Sequence, residues 1–166
     1  VAAYTSMTAI AVSLGDGAGG FGAPLVLSTG HGPYQTSLVA ADFDHDGHLD
    51  LAAAGNRPDF TGAIEVRLGT GDGNFGPAVA FAVVLQPSDL VGADLDGDGS
   101  LDLVASSVTD DTVSVLLGDG GGGFAPQAVV PLDDELNEVQ VHDFNGDGHP
   151  DVAASARFIE FLPDGP

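Results

Sequence analysis

Aspartate recurs at alternate positions in three short segments, DFDHDGHLD at 42–50, DLDGDGSLD at 94–102 and DFNGDGHPD at 143–151. Four chemistries use carboxylates so crowded: a catalytic acid pair, a mixed His/Asp metal centre, a solvated turn, or a cage for a hard cation. Position by position, the first residue is Asp42, Asp94 and Asp143, and the third is Asp44, Asp96 and Asn145. The fifth is Asp46, Asp98 and Asp147, the sixth is glycine in each, and the ninth is Asp50, Asp102 and Asp151. Alternate oxygen donors followed by a glycine that permits a sharp turn suit calcium, which takes six to eight oxygens at about 2.3–2.6 Å. A divalent ion also cancels the mutual repulsion of the carboxylates. The seventh residue (His48, Ser100, His149) varies, as expected of a ligand that binds through its backbone carbonyl. About three calcium sites are predicted, the third weaker because Asn145 removes a charge.

The competing chemistries fit less well. An EF-hand closes with a bidentate glutamate at its twelfth position, where these loops have Ala53, Ala105 and Ala154. Magnesium demands stricter octahedral geometry and keeps its waters. Zinc needs imidazole or thiolate, and the second loop replaces His45 and His48 by Gly97 and Ser100. A catalytic carboxylate pair belongs to one cleft, whereas this pattern returns in every unit. No catalytic residue is predicted, and the chain is read as non-enzymatic.

The loops belong to a longer period. Their first aspartates are 52 and 49 residues apart. A second motif, VSLGDGAGGFGAP from Val12, VRLGTGDGNFGPA from Val66 and VLLGDGGGGFAPQ from Val115, has its phenylalanines 54 and 49 residues apart. Each glycine stretch satisfies G-x-G-x-x-G, but a dinucleotide site needs a helix to follow. Here each stretch joins two strand-like runs and carries an aspartate that repels phosphate. These are predicted hairpin turns, with Phe21, Phe75 and Phe124 folding back to pack.

Four short apolar runs fall in each period, bounded by Gly, Asp and Pro, which is a strand pattern. They are 37–41, 89–93 and 138–142; then 49–55, 101–107 and 151–156; then 63–68 and 112–117; and finally 23–28, 78–83 and 127–132. Repeats of about 50 residues with four strands predict an all-β fold, a β-propeller of four-stranded antiparallel blades. A β-solenoid usually has shorter repeats. The predicted divisions are a partial blade at 1–34 with strands two to four, blades at 35–86 and 87–135, and a partial blade at 136–166 with strands one to three, all in one propeller domain or a segment of it. About three and a half blades are fewer than the roughly four to eight that close a ring. The chain is therefore expected to be part of a larger protein, or to close with other copies that complete its blades. It opens on Val1 with no initiator Met and no signal-like segment, as a processed or trimmed product does.

Composition narrows the partners. Three Lys and Arg stand against 25 Asp and Glu, a formal charge of −22. Nucleic acid is excluded on that charge, because it is bound by basic contacts. No apolar run approaches the ~20 residues of a membrane span. Without cysteine there is no disulfide, thiolate site or Cys nucleophile.

With both motifs in place, the chain resembles the FG-GAP/VCBS repeat family, also found in integrin α-subunit propellers. The resemblance rests on FGAP at Phe21–Pro24, FGP at Phe75–Pro77, FAP at Phe124–Pro126 and the three acidic loops. It implies blades with a calcium loop between the first and second strands. It also implies an extracellular or cell-surface protein that binds a protein or glycan ligand, in adhesion, surface structure or assembly. Lectins or carbohydrate-binding modules, and propeller parts of polysaccharide lyases or hydrolases, are the alternatives among relatives.

Overall fold

The computed structural model describes residues 9–32, 35–83, 86–132 and 136–156. Among them are twelve β-strands and no helix. A two-stranded sheet of β1 (Ala9–Val12) and β2 (Leu25–Ser28) comes first. A four-stranded sheet follows, of β3 (Gln35–Ala41), β4 (Asp50–Asn56), β5 (Gly62–Arg67) and β6 (Val79–Val83). The next has β7 (Pro87–Ala93), β8 (Asp102–Ser107), β9 (Thr112–Gly118) and β10 (Phe124–Pro131). A second two-stranded sheet, of β11 (Leu136–His142) and β12 (Asp151–Ala156), ends the described chain. Every pairing is antiparallel and joins strands consecutive in sequence.

The predicted runs coincide with these strands except at their ends. First strands begin at Gln35, Pro87 and Leu136, two residues earlier than their apolar cores suggest. A register irregularity sits at that end of each, between Gln35 and Ser37, Pro87 and Asp89, and Leu136 and Glu138. β10 starts at Phe124, before its predicted start, because its ladder with β9 extends across a bulge between Pro126 and Ala128. The equivalent residues of the earlier units make only isolated bridges, Gly15 to Phe21 and Gly69 to Phe75. The expected second strand of the first unit and third strand of the last lie outside the described residues.

The sheets stack face to face. β3 packs beside β7 and β7 beside β11, whereas β6 and β10 touch only slightly, so neighbouring sheets converge at their first strands and part at their fourth. This explains the small residues in the second strands. β4 (DLAAAGN) and β8 (DLVASS) are buried along their whole length. On β4, Ala52 and Ala54 face the following sheet, while Leu51 and Ala53 face the preceding one. On β8, Leu103 and Ala105 face back and Val104 faces forward. A strand covered on both faces needs no apolar–polar alternation, and alanine lets two backbones approach closely.

Three apolar clusters fill the three gaps between sheets. The first gap holds Ile10, Leu51 and Ala53, with Val12, Leu27 and Phe75 packed on them. The central gap is largest, with Phe43, Ile64, Leu90, Leu103, Leu116 and Phe124. The last holds Val104, Val113, Leu136 and Val139. Polar bonds tie the first strands across the same gaps. Asp89 accepts from the Ser37 hydroxyl of β3 at 2.9 Å and from the Val139 N–H of β11 at 3.1 Å, so one carboxylate spans three sheets.

Candidate metal centre

Each acidic loop joins the first and second strands of its sheet, and its shape follows from residues that tolerate a left-handed backbone. The sixth-position glycines, Gly47, Gly99 and Gly148, have φ of 85°, 92° and 88°. The fourth position is left-handed too: Gly97 and Gly146 lie at 79° and 80°, and His45 at 60°. Residues with a Cβ meet steric cost there, which accounts for glycine in two loops of three and reads His45 as a backbone choice rather than a ligand. The first aspartate stabilises this turn. Asp42 accepts the Gly47 N–H at 2.9 Å, and Asp94 accepts those of Gly97 and Gly99 at 2.8 and 3.0 Å. Asp143 accepts those of Gly146 and Gly148 at 2.6 and 2.8 Å.

Two carboxylate trios result. Asp42, Asp44 and Asp50 each offer an oxygen within 4.8 Å of the others, as do Asp94, Asp96 and Asp102. Asp46 and Asp98 are not members of these trios; their carboxylates accept the N–H of His48 at 2.8 Å and of Ser100 at 2.7 Å. The side chains at the seventh position lean away from a ligand role, with His48 over Gly71 and Ser100 over Gly120. Among the described residues the third loop forms no trio. Asn145 replaces its third carboxylate and donates instead to Asp147 at 3.1 Å, while Asp151 accepts the Phe144 N–H at 3.0 Å.

The electrostatics of the loops differ accordingly. Burial pushes the Asp44 carboxyl up from its ordinary value, and the charges of Asp46, Asp50 and Asp42 push it further. Burial likewise raises Asp102 against the two N–H groups it accepts, with Asp96 and Asp98 adding repulsion. In the third loop the N–H of Gly148, then those of Gly146 and Asp147, hold Asp143 below the usual range. Calcium fits the first loop on a separate observation: Asp42 Oδ1 is buried with no hydrogen-bond partner. Burying an acceptor without a partner is costly, and a hard cation bonded to that oxygen and to Asp44 and Asp50 would remove the cost.

The ninth-position aspartate has a role that its spacing does not reveal. Asp50 is fully buried and accepts two backbone bonds, from Phe43 N–H and Gly69 N–H, each at 2.7 Å. Asp102 repeats this with Leu95 at 2.7 Å and Gly118 at 2.8 Å. The second donor is the glycine that opens the hairpin motif, so the two sequence motifs meet at one carboxylate. A Cβ on Gly69 would run into the Leu49 carbonyl, and one on Gly118 into that of Leu101. The signal available in the sequence is the Leu-Gly pair repeated at 14–15, 68–69 and 117–118.

The loops also reach the next sheet. Phe43 donates to Asp50, accepts from the Gly122 N–H at 3.2 Å, and packs its ring edge-on against Phe124 at 5.5 Å and 79°. Phe124 meets Phe81 in the same way, at 5.3 Å and 78°. Phe124 therefore folds back as expected, and Phe75 is half-buried against the first sheet. Phe21 departs from the expectation and is 75% exposed. Phe75 and Phe124 pack on the sheet before their own, and no sheet precedes that of Phe21 among the described residues.

The glycine hairpins leave nothing for a phosphate. Asp16 accepts the N–H of Ala18 at 2.8 Å and of Gly20 at 2.9 Å, and Asp119 accepts those of Gly121 and Gly123 at the same two distances. In the middle hairpin Thr70 takes the place of these aspartates. Its hydroxyl and the Asn74 side chain donate to Asp72 and hold that carboxyl at about 2.

Antiparallel four-stranded sheets, with an acidic loop before the second strand and a glycine hairpin before the fourth, define an all-β repeat protein bearing candidate cation sites. The FG-GAP-like repeat matches residues 1–53, 48–105 and 94–154, and the chain belongs to that family. No curated protein matches the chain.

Gly118→Ala places a methyl group against the Leu101 carbonyl and should lower stability by about 1–3 kcal/mol in denaturant titration. Gly76→Ala, whose nearest neighbour is the Leu68 carbonyl at an ordinary 3.5 Å, should change it by less than about 0.5 kcal/mol. Asp72 titrates below its unfolded value of 3.8. Its contribution is therefore complete above that pH and lost as pH falls through about 2. The melting-temperature gap between the native chain and Asp72→Ala should close over that window.

Proposed function

We propose that the chain is a segment of a calcium-stabilised β-propeller that acts in adhesion, surface structure or assembly, outside the cell or on its surface, without catalysing a reaction. The sheets serve as blades. Their convergence at the first strands supports this, since blades radiate from an axis, as does membership of the FG-GAP-like repeat family. The observation that carries the calcium assignment is the pair of carboxylate trios, one with the buried, unpartnered Asp42 Oδ1.

Calcium would supply charge neutralisation and fixed coordination, with no bond made or broken. The residues do the rest. Asp42 and Asp94 hold the turn glycines, Asp50 and Asp102 join the loop to the hairpin, and Asp44 and Asp96 complete each trio. The same arrangement in successive units supports a structural role, because an active site would occur once. A ligand that binds the folded state raises its stability by mass action.

Thermal melts with calcium and with chelator test this. Saturating calcium at about 100 times its Kd should add roughly 2.7 kcal/mol per site. Asp44→Ala and Asp96→Ala should each remove one site from a calorimetric titration. Identical melting curves in calcium and chelator would overturn the proposal.

A further inference from the structure

The strands β2, β6 and β10 form the outer edges of three sheets, and they are not equally protected. Natural edge strands are blunted by proline, bulges, shortness or charge. β2 has only four residues, follows Pro24, and gives its Ser28 carbonyl to Arg67 at 2.7 Å. β10 carries Pro126 and Pro131 and a bulge between Pro126 and Ala128. β6 (VAFAV) has none of these devices. Its ladder with β5 is regular, and residues 73–88 contain no charged side chain. Its sheet already has four strands, and soon after β6 ends Gln86 donates to the Asn56 side chain at the end of β4, at 2.9 Å, so the chain does not run back along this edge.

The direction of the free backbone groups follows from the glycine hairpin. Gly76 N–H donates to the Leu68 carbonyl at 2.7 Å, so Leu68 faces the fourth strand. Backbone groups alternate in direction along an antiparallel strand. Val66, Ile64 and Gly62 therefore face β6 as well, and their partners Val79, Phe81 and Val83 face back to them. Ala80 and Ala82 are left to turn their N–H and C=O groups outward, and both residues are exposed. Val79 and Phe81 also line an open groove of about 410 Å³ beside this edge, with Val66 and Leu68 next to them and Asp119 and Gly122 across it. A groove of that size accepts ligand side chains. Its walls are apolar and its one ionisable lining residue is Asp119, whose carboxyl the N–H groups of Gly121 and Gly123 hold below the usual range.

We infer that the outer edge of β6 takes up an extended segment of a basic partner protein as a fifth strand, with alternate side chains of that segment seated in the groove. In such strand addition main-chain bonds give attachment, here at Ala80 and Ala82, and the pockets for alternate side chains give choice. A lysine or arginine would lay its apolar stem on Val79 and Phe81 and carry its charge towards Asp119. The formal charge of −22 favours such a segment, whereas an acidic one or a second copy of this chain brings like charge. The inference goes beyond the calcium-stabilised propeller and does not rest on it.

Titrating the 166-residue chain in calcium with an acetylated, amidated octapeptide of alternating valine and lysine tests this by amide NMR. The Ala80 and Ala82 amides should shift saturably and exchange more slowly as peptide is added. The octapeptide of alternating valine and glutamate should leave them unmoved. Ala82→Pro removes an outward N–H and no bond to β5, so it should weaken binding about tenfold with unchanged circular dichroism. Asp119→Asn keeps an acceptor for Gly121 and Gly123 but not the charge, and should weaken binding about threefold. Absence of binding would overturn the inference, as would shifts confined to the acidic loops, where charge alone attracts the peptide. A chain that sediments as a dimer without peptide, and as a single copy with Ala82→Pro, would overturn it too, because a second copy then holds the edge. Melting in calcium and in chelator reads the cation sites separately, so either reading can fail without the other.

Discussion

Each complete unit depends on one buried carboxylate that accepts two backbone N–H groups. Asp50 joins Phe43 to Gly69, and Asp102 joins Leu95 to Gly118. An ionised oxygen held by amide donors makes stronger bonds than a neutral pair, and here the partners come from different parts of the sheet. One donor fixes the entry to the acidic loop and the other fixes the start of the glycine hairpin. The carboxylate also turns an oxygen towards the first and third aspartates. Cation site and hairpin are therefore positioned by the same group, and neither is free to shift alone.

That arrangement constrains the residues around it. The donor must be glycine, because Leu49 or Leu101 presents its carbonyl where a Cβ would stand. The second position must be apolar, since Phe43 and Leu95 send their side chains into the gap with the following sheet. The second strands must be small, because they are covered on both faces. The charge of −22 is tolerable in such a compact array because so many carboxylates face turns of backbone N–H groups. Those of the trios that burial and repulsion raise are the ones a divalent ion would relieve.

Much of this was legible in the sequence because equivalent positions recur. Period alone located the strands, the turn glycines and the ligand candidates Asp42, Asp44 and Asp50. It separated the histidine side chains from the site, since Gly97 and Ser100 replace them. Recurrence could not rank the aspartates among themselves. Asp46 and Asp98 look like their neighbours and accept an in-loop N–H as Asp42 and Asp94 do, yet they stay outside the trios. Nor could it show contacts between units. Phe21 and Phe124 occupy the same place in the repeat, but one is exposed and the other buried, because burial depends on whether a preceding sheet is there to receive the ring. The donors Gly69 and Gly118 were hidden for a related reason: they lie 19 and 16 residues from the carboxylates they serve.

Amide hydrogen exchange at Gly69 and Gly118 bears most directly on the link between acidic loop and hairpin. With Asp50 and Asp102 as acceptors, these two amides should exchange as slowly as those of β4 and β8, and slow further, together with Phe43 and Leu95, when calcium is added. Exchange as fast as at the exposed turn glycines Gly47 and Gly71, unaltered by calcium, would contradict the account.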